Sequence, residues 1–176
     1  MTVQIALLRG INVGGHNTLP MADFRKLLER LGAQSCKTYI QSGNAVFVGD
    51  LAEGAVGEAI ETEHGFRPRV MIRTRSFWDA TIKACPFPTD TPKALHLFVL
   101  GEPTKATDDA LNQMAALDER AQIGTNVVYL HTPGGMSASK LAPRIDRVLG
   151  VPTTARNWRS VLAVRDLAAK VAKGTP

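Results

Sequence analysis

Little in this sequence of 176 residues points to covalent chemistry. Only two cysteines occur, Cys36 and Cys85, and they form neither a zinc ligand set nor a disulfide framework. The four histidines, His16, His64, His96 and His131, stand apart, with no HxH or HExxH pattern. No metal and no cofactor is therefore expected. GxGxxG, GxxxxGK[ST] and GxSxG are all absent, which removes the signatures of dinucleotide, P-loop and serine-hydrolase sites. Aromatic residues make up 6% of the chain, few for a protein that stacks successive bases. The longest apolar runs, Leu95–Leu100 and Val127–Leu130, have the length of strands and cannot span a bilayer. The first residues lack the basic start and long apolar run of a signal peptide. With so few thiols, a reducing cytoplasm is the expected setting, and no membrane partner is expected.

What is present is an ordinary globular composition, 44% hydrophobic and 21% charged, with a basic excess. Lysine and arginine number 21 against 16 acidic residues, a net charge of +5 that favours phosphate-bearing partners.

The apolar pattern predicts an α+β protein of two halves. Val3–Arg9 reads as a buried strand. Pro20-Met21 opens a helix whose apolar positions Met21, Phe24, Leu27, Leu28 and Leu31 follow helical spacing to Gly32. Cys36–Ile40 and Ala45–Val48 predict a hairpin, with Gly43 supplying the positive φ that its turn needs. Leu51–His64 predicts a second helix and Arg69–Thr74 a fourth strand. This order is the ferredoxin-like split βαβ arrangement.

After a helix at Ser76–Ala84, three prolines in Pro86–Pro92 suit neither helix nor sheet. The expected division is an N-terminal half at 1–85, a linker at 86–93 and a C-terminal half at 94–176. That second half is expected to be abbreviated: a strand at Leu95–Leu100, a helix at Asp108–Leu117 capped by Thr107, strands at Ala121–Ile123 and Val127–Leu130, and a helix at Ser137–Leu149. A final helix at Asn157–Ala172 is expected in place of the fourth strand. The fold expected is thus two ferredoxin-like βαββα(β) halves with antiparallel sheets, plus a C-terminal helix.

In that topology the loop after the first strand, with Arg9, Gly10, Asn12, Gly14, Gly15, His16 and Asn17, lies at the same end as the hairpin turn with Gln41, Ser42 and Asn44. The His64–Pro68 loop, with Arg67, joins them. Loops on a rigid sheet commonly carry binding groups, and glycines allow close approach of a ligand. Two readings stand for each loop: ligand donors, or turn formers that only shape the chain. His16 is the residue there that could carry a proton. A second glycine-rich connection, His131–Lys140, ends in Ser137, Ser139 and Lys140, which suit either anion capture or helix capping. Arg156, Asn157, Trp158 and Arg159 could grip phosphate and stack on a base, or pin the last helix to its sheet.

The segments RGINVGG, PMADFRKLLERLG, YIQSGNAVF, SKL and TARNWRSV, in this order, resemble the bacterial family catalogued as domain of unknown function 1697. The resemblance implies a duplicated ferredoxin-like α+β fold and no established activity, cofactor or catalytic residue. The functional expectation is a protein that binds an anionic or polar partner, nucleic acid or nucleotide foremost. The binding set is Arg9, Asn12, Gly14, Gly15, Gln41, Ser42, Asn44, Lys140, Arg156, Asn157, Trp158 and Arg159. The alternative is an enzyme acting on a small phosphorylated or carboxylated metabolite, with His16 or Lys140 handling protons.

Overall fold

The computed structural model describes residues 2–174. The chain divides into two compact units, one formed by residues up to Asp79 together with those from Ala163, the other by Ala80–Leu162. The first unit holds β1 (Thr2–Arg9), α1 (Met21–Arg30), β2 (Gln34–Tyr39), β3 (Asn44–Gly49), α2 (Glu53–His64) and β4 (Arg69–Thr74). Its sheet runs β2-β3-β1-β4 with every neighbour antiparallel, the order of the split βαβ arrangement.

Alternation along the strands decides which residues meet the helices. Ala6 and Leu8 of β1, Ala45 and Phe47 of β3 and Val70 of β4 share one core. Phe24, Leu27 and Leu28 of α1 and Val56 and Ile60 of α2 fill it from the helical side. Each such side chain, fully buried, contributes roughly 1.5–3 kcal/mol. Asp23 in the first turn of α1 and Arg30 in its last complement the helix dipole. Gly65 ends α2 in the left-handed region at φ 77°, its N–H donating to the Glu61 carbonyl.

After α3 (Arg75–Lys83), the second unit holds β5 (Leu95–Leu100), α4 (Asp108–Asn112), β6 (Arg120–Gly124), β7 (Val127–His131), α5 (Ile145–Leu149) and β8 (Thr153–Asn157), and α6 (Trp158–Lys173) follows. Its sheet order is β6-β7-β5-β8, the first unit's pattern repeated.

Three expectations are corrected in this unit. The fourth strand is present: β8 pairs with β5 from His96↔Asn157 to Leu100↔Thr153. Its β-branched start, Thr153-Thr154, was the signal, and the charged Arg156 inside the strand obscured it. The helix expected at Ser137–Leu149 is α-helical only from Ile145, with 3₁₀ turns at Met136–Ala138 and Ala142–Arg144. Pro143 has no N–H to continue a helix, and the N–H groups of Lys140 and Leu141 point to a carboxylate instead. The helix expected at Asp108–Leu117 stops at Asn112, although the Thr107 hydroxyl caps it as expected by accepting from the Ala110 N–H at 3.3 Å. The Asn112 amide ends the helix by turning to β6: Nδ2 donates to the Ala121 carbonyl at 2.8 Å, and Oδ1 accepts from the Ala121 N–H at 2.9 Å.

Candidate functional site

The two loops of the first unit do meet. Leu7 of β1 sits opposite Asn44 of β3, and the Leu8 N–H donates to the Gly43 carbonyl at 2.8 Å. Asn12, with φ 53°, holds the first loop together from its centre. Its Oδ1 accepts from the Leu19 N–H at 2.8 Å, while Nδ2 donates to the Leu19 carbonyl at 2.9 Å and the Gln41 carbonyl at 2.8 Å. Asn17 Nδ2 donates to the Gly10 carbonyl at 2.9 Å. The Asn12 N–H reaches the Asn17 carbonyl at 3.1 Å, and the His16 N–H reaches that of Val13 at 3.0 Å. In the turn, buried Asn44 donates to the Tyr39 carbonyl at 3.0 Å and to Ser42 Oγ at 2.9 Å. Asn12 and Asn44, both expected as ligand donors, are therefore engaged in shaping the two loops themselves.

What faces outward is different. Arg9, Gly14, Gly15, His16 and Gln41 are exposed and Ser42 is half-buried. Val13 and Ile40, one on each loop, are 67% and 50% exposed. Ile40 also has φ 47°, a conformation that costs a β-branched residue about 1–2 kcal/mol. Such strain persists only where surrounding bonds impose it, and it collects at binding sites. At the same end of the sheet Arg9 of β1 lies directly opposite Arg69 of β4, so both side chains share one face. Arg67, nearby in sequence, pairs with Glu61 at 3.1 Å.

In the second unit the Ser139–Leu141 segment has captured the protein's own anion. Buried Glu119 accepts through Oε2 from the N–H groups of Ala116 at 2.7 Å, Lys140 at 3.1 Å and Leu141 at 3.4 Å. Burial alone would raise its pKa, but hydrogen bonds from Ala116, Ser139, Lys140 and Leu141 outweigh it and leave the group below the ordinary glutamate value. Ser139 Oγ caps the following turn by accepting from the Ala142 N–H at 2.9 Å, and the Lys140 side chain points to solvent.

Arg156 and Trp158 are buried, at 7% and 1% exposure. The Arg156 guanidinium donates to Thr154 Oγ1 at 2.9 Å and to the Ala155 carbonyl at 2.8 Å, and burial lowers its pKa to about 10. Trp158 presents no open ring face, which corrects its reading as a base-stacking surface. Asn157 and Arg159 are exposed and line an open pocket of about 230 Å³, together with Pro92, Lys93, His96 and Met136.

No group of three or more His, Cys, Asp or Glu side chains is placed to hold a metal ion among the described residues. Nor is any helix among them long and apolar enough to cross a membrane. Burial, followed by the nearby Glu29 charge, pushes the Cys36 thiol up to about 12, so it is no nucleophile. Four residues that matter here escaped sequence reasoning: Arg69, Lys93, His96 and Glu119. Arg69 shows only through strand register, and Lys93 stood inside the expected linker. His96 reads as the polar member of an apolar strand, and Glu119 as an ordinary surface charge.

Residues 1–129 match the family model described as Protein of unknown function (DUF1697). No curated protein matches the chain. Among solved structures it is similar to the conserved bacterial protein SP0830 from Streptococcus pneumoniae, with 23% identity and a TM-score of 0.66. That likeness covers 95% of this chain and 98% of the other, and it shows the two-half fold.

Proposed function

We propose that this chain, which belongs to the DUF1697 family, binds an anionic partner at the loop end of its first sheet, with nucleic acid or nucleotide the leading class. The observation that carries the reading is Arg9 directly opposite Arg69. Like charges facing each other across two strands are destabilising, and a bound phosphate turns that repulsion into shared attraction. The net charge of +5 works in the same direction over longer range. The exposed glycines at 14 and 15, with φ 59° and 75°, leave that part of the loop backbone bare of side chains. An enzyme acting on a small phosphorylated or carboxylated metabolite is the weaker reading, since His16 is the single titratable side chain in loop 10–19.

The test is fluorescence anisotropy with single-stranded RNA and DNA over a range of salt concentrations. Binding should weaken steeply as salt rises, and Arg9→Ala/Arg69→Ala should flatten the log–log slope by about 0.7 for each phosphate that is no longer neutralised. If neither polymer nor mononucleotides bind at low salt, the reading falls.

A further inference from the structure

The pocket of the second unit has a different composition from the loop end, and all of its residues belong to Ala80–Leu162. Lys93 stands just before β5, and Arg159 lies in the first turn of α6. The N-terminal end of that 16-residue helix adds the positive pole of its dipole. Asn157 Oδ1 fixes the helix start by accepting from the Ser160 N–H at 2.9 Å. Across the β5–β8 register from Asn157 sits His96, which lines the pocket although it is only 8% exposed. Its Nδ1 has no hydrogen-bond partner. Buried polar atoms are nearly always paired, and this one, sealed from solvent in a ring that lines the cavity, points to a ligand that completes it once the ring turns.

Charge and size define that ligand. Two cations and a helix N-terminus converge, and no carboxylate is among the described residues that line the pocket. A doubly charged oxyanion satisfies this arrangement better than a single carboxylate does. The volume of about 230 Å³ lies below the roughly 300–1,000 Å³ typical of pockets for drug-sized ligands. A charged head group fits; a stretch of polymer does not.

We propose that this pocket binds a phosphate group carried on a small molecule, with Lys93 and Arg159 clamping its oxygens and His96 supplying a hydrogen bond from the wall. The guanidinium fork of Arg159 suits two oxygens at once, whereas the Lys93 ammonium acts as a point charge. Burial lowers the His96 pKa.

The test is isothermal titration of the whole chain with inorganic phosphate, glycerol phosphate and acetate, each against sodium chloride of matched ionic strength. Saturable one-site binding of both phosphates, and none of acetate, is expected. Lys93→Gln/Arg159→Gln should weaken that binding by at least about tenfold, the usual consequence of losing charge-assisted hydrogen bonds. Both side chains are exposed, so the melting temperature without ligand should not change; if the double variant fails to fold, the two single variants replace it. In the wild type the His96 ring nitrogen resonances should move with phosphate and stay still with chloride. Arg9→Ala/Arg69→Ala should keep this binding, which separates the pocket from the loop end. Absence of saturable phosphate binding, equal binding of acetate, unchanged binding by the Lys93/Arg159 variants, or an unresponsive His96 would each overturn the proposal.

Discussion

Asn12 Nδ2 donates to the carbonyl of Gln41 at 2.8 Å, joining the centre of one loop to the turn of another 29 residues on. The same amide group satisfies both backbone groups of Leu19, so all of its bonds are internal. The groups exposed at this end of the sheet are held in place by a residue whose own side-chain bonds all stay within the chain.

Asn12→Ala should accordingly cost about 2–3 kcal/mol, because it strands the Leu19 N–H and places a Cβ-only residue at φ 53°. Asn12→Gly loses the same bonds without the backbone penalty and should cost roughly 1 kcal/mol less. Urea denaturation of both variants measures the difference, and the Leu19 amide should lose hydrogen-exchange protection in each. Equal stability of Asn12→Ala and wild type would mean that the clamp contributes nothing.

Gly43 and Gly10 separate crowding from backbone strain. Both have positive φ, 80° and 75°. A Cβ at Gly43 would lie 2.7 Å from Leu8 Cβ and 2.9 Å from Ile11 Cδ1, whereas one at Gly10 would meet nothing within 4 Å. Gly10→Ala should cost about 1–2 kcal/mol from φ alone. Gly43→Ala should add a further 1–3 kcal/mol or so of overpacking. Paired melting curves read this directly, and similar losses at the two positions would remove the steric argument for a close approach of the loops.

The first unit was largely legible because its helices are long enough to show their period and its turn residues are glycines at the required positions. The meeting of the two loops followed from strand order alone. The second unit was less so, for physical reasons. Its helices α4 and α5 have five residues each, too short for periodicity to show. The segment around Lys140 is organised by Glu119, some twenty residues earlier, and no local pattern reports that. The candidate site divided in the same way. Arg9 could be placed by topology, but the partners of Asn12 are backbone groups far along the chain. Trp158 follows a strand end, and its burial is visible only once β8 is known.

High pH should weaken the fold through two buried acids. Burial is the main cause that raises Cys36 from 9.0 to about 12 and Tyr129 from 10.0 to about 12. Tyr129 Oη also donates to the Thr81 carbonyl at 2.7 Å. Above pH 9 the unfolded chain releases these protons while the folded chain keeps them, so stability falls as pH rises toward 12. Where only the unfolded form of a group is ionised, the slope is about 1.4 kcal/mol per pH unit. Urea midpoints between pH 8 and 11 should show the fall, and Cys36→Ala should flatten it. A midpoint independent of pH in that range would contradict the burial of both groups.

Glu119 offers the opposite sign. Its carboxylate is held below the ordinary value, because the backbone N–H groups of Ala116, Lys140 and Leu141, with Ser139, outweigh the penalty of burial. The stability it contributes is therefore present above the unfolded glutamate pKa and is lost as pH falls through the lower folded one. Glu119→Ala removes the carboxylate at every pH and leaves the three backbone N–H groups that point to Oε2 without their acceptor. A loss of about 2–3 kcal/mol at neutral pH is expected, since bonds to a charged group are among the stronger ones. The variant should also lose the share of the acid-limb decline expected from Glu119 below its ordinary value of 4.5. Hydrogen exchange localises the effect: the amides of Lys140 and Leu141 should be released in the variant, whereas those of β1 and β3 should stay protected. If the variant keeps the wild-type acid limb and the protection at Lys140, Glu119 does not organise this segment.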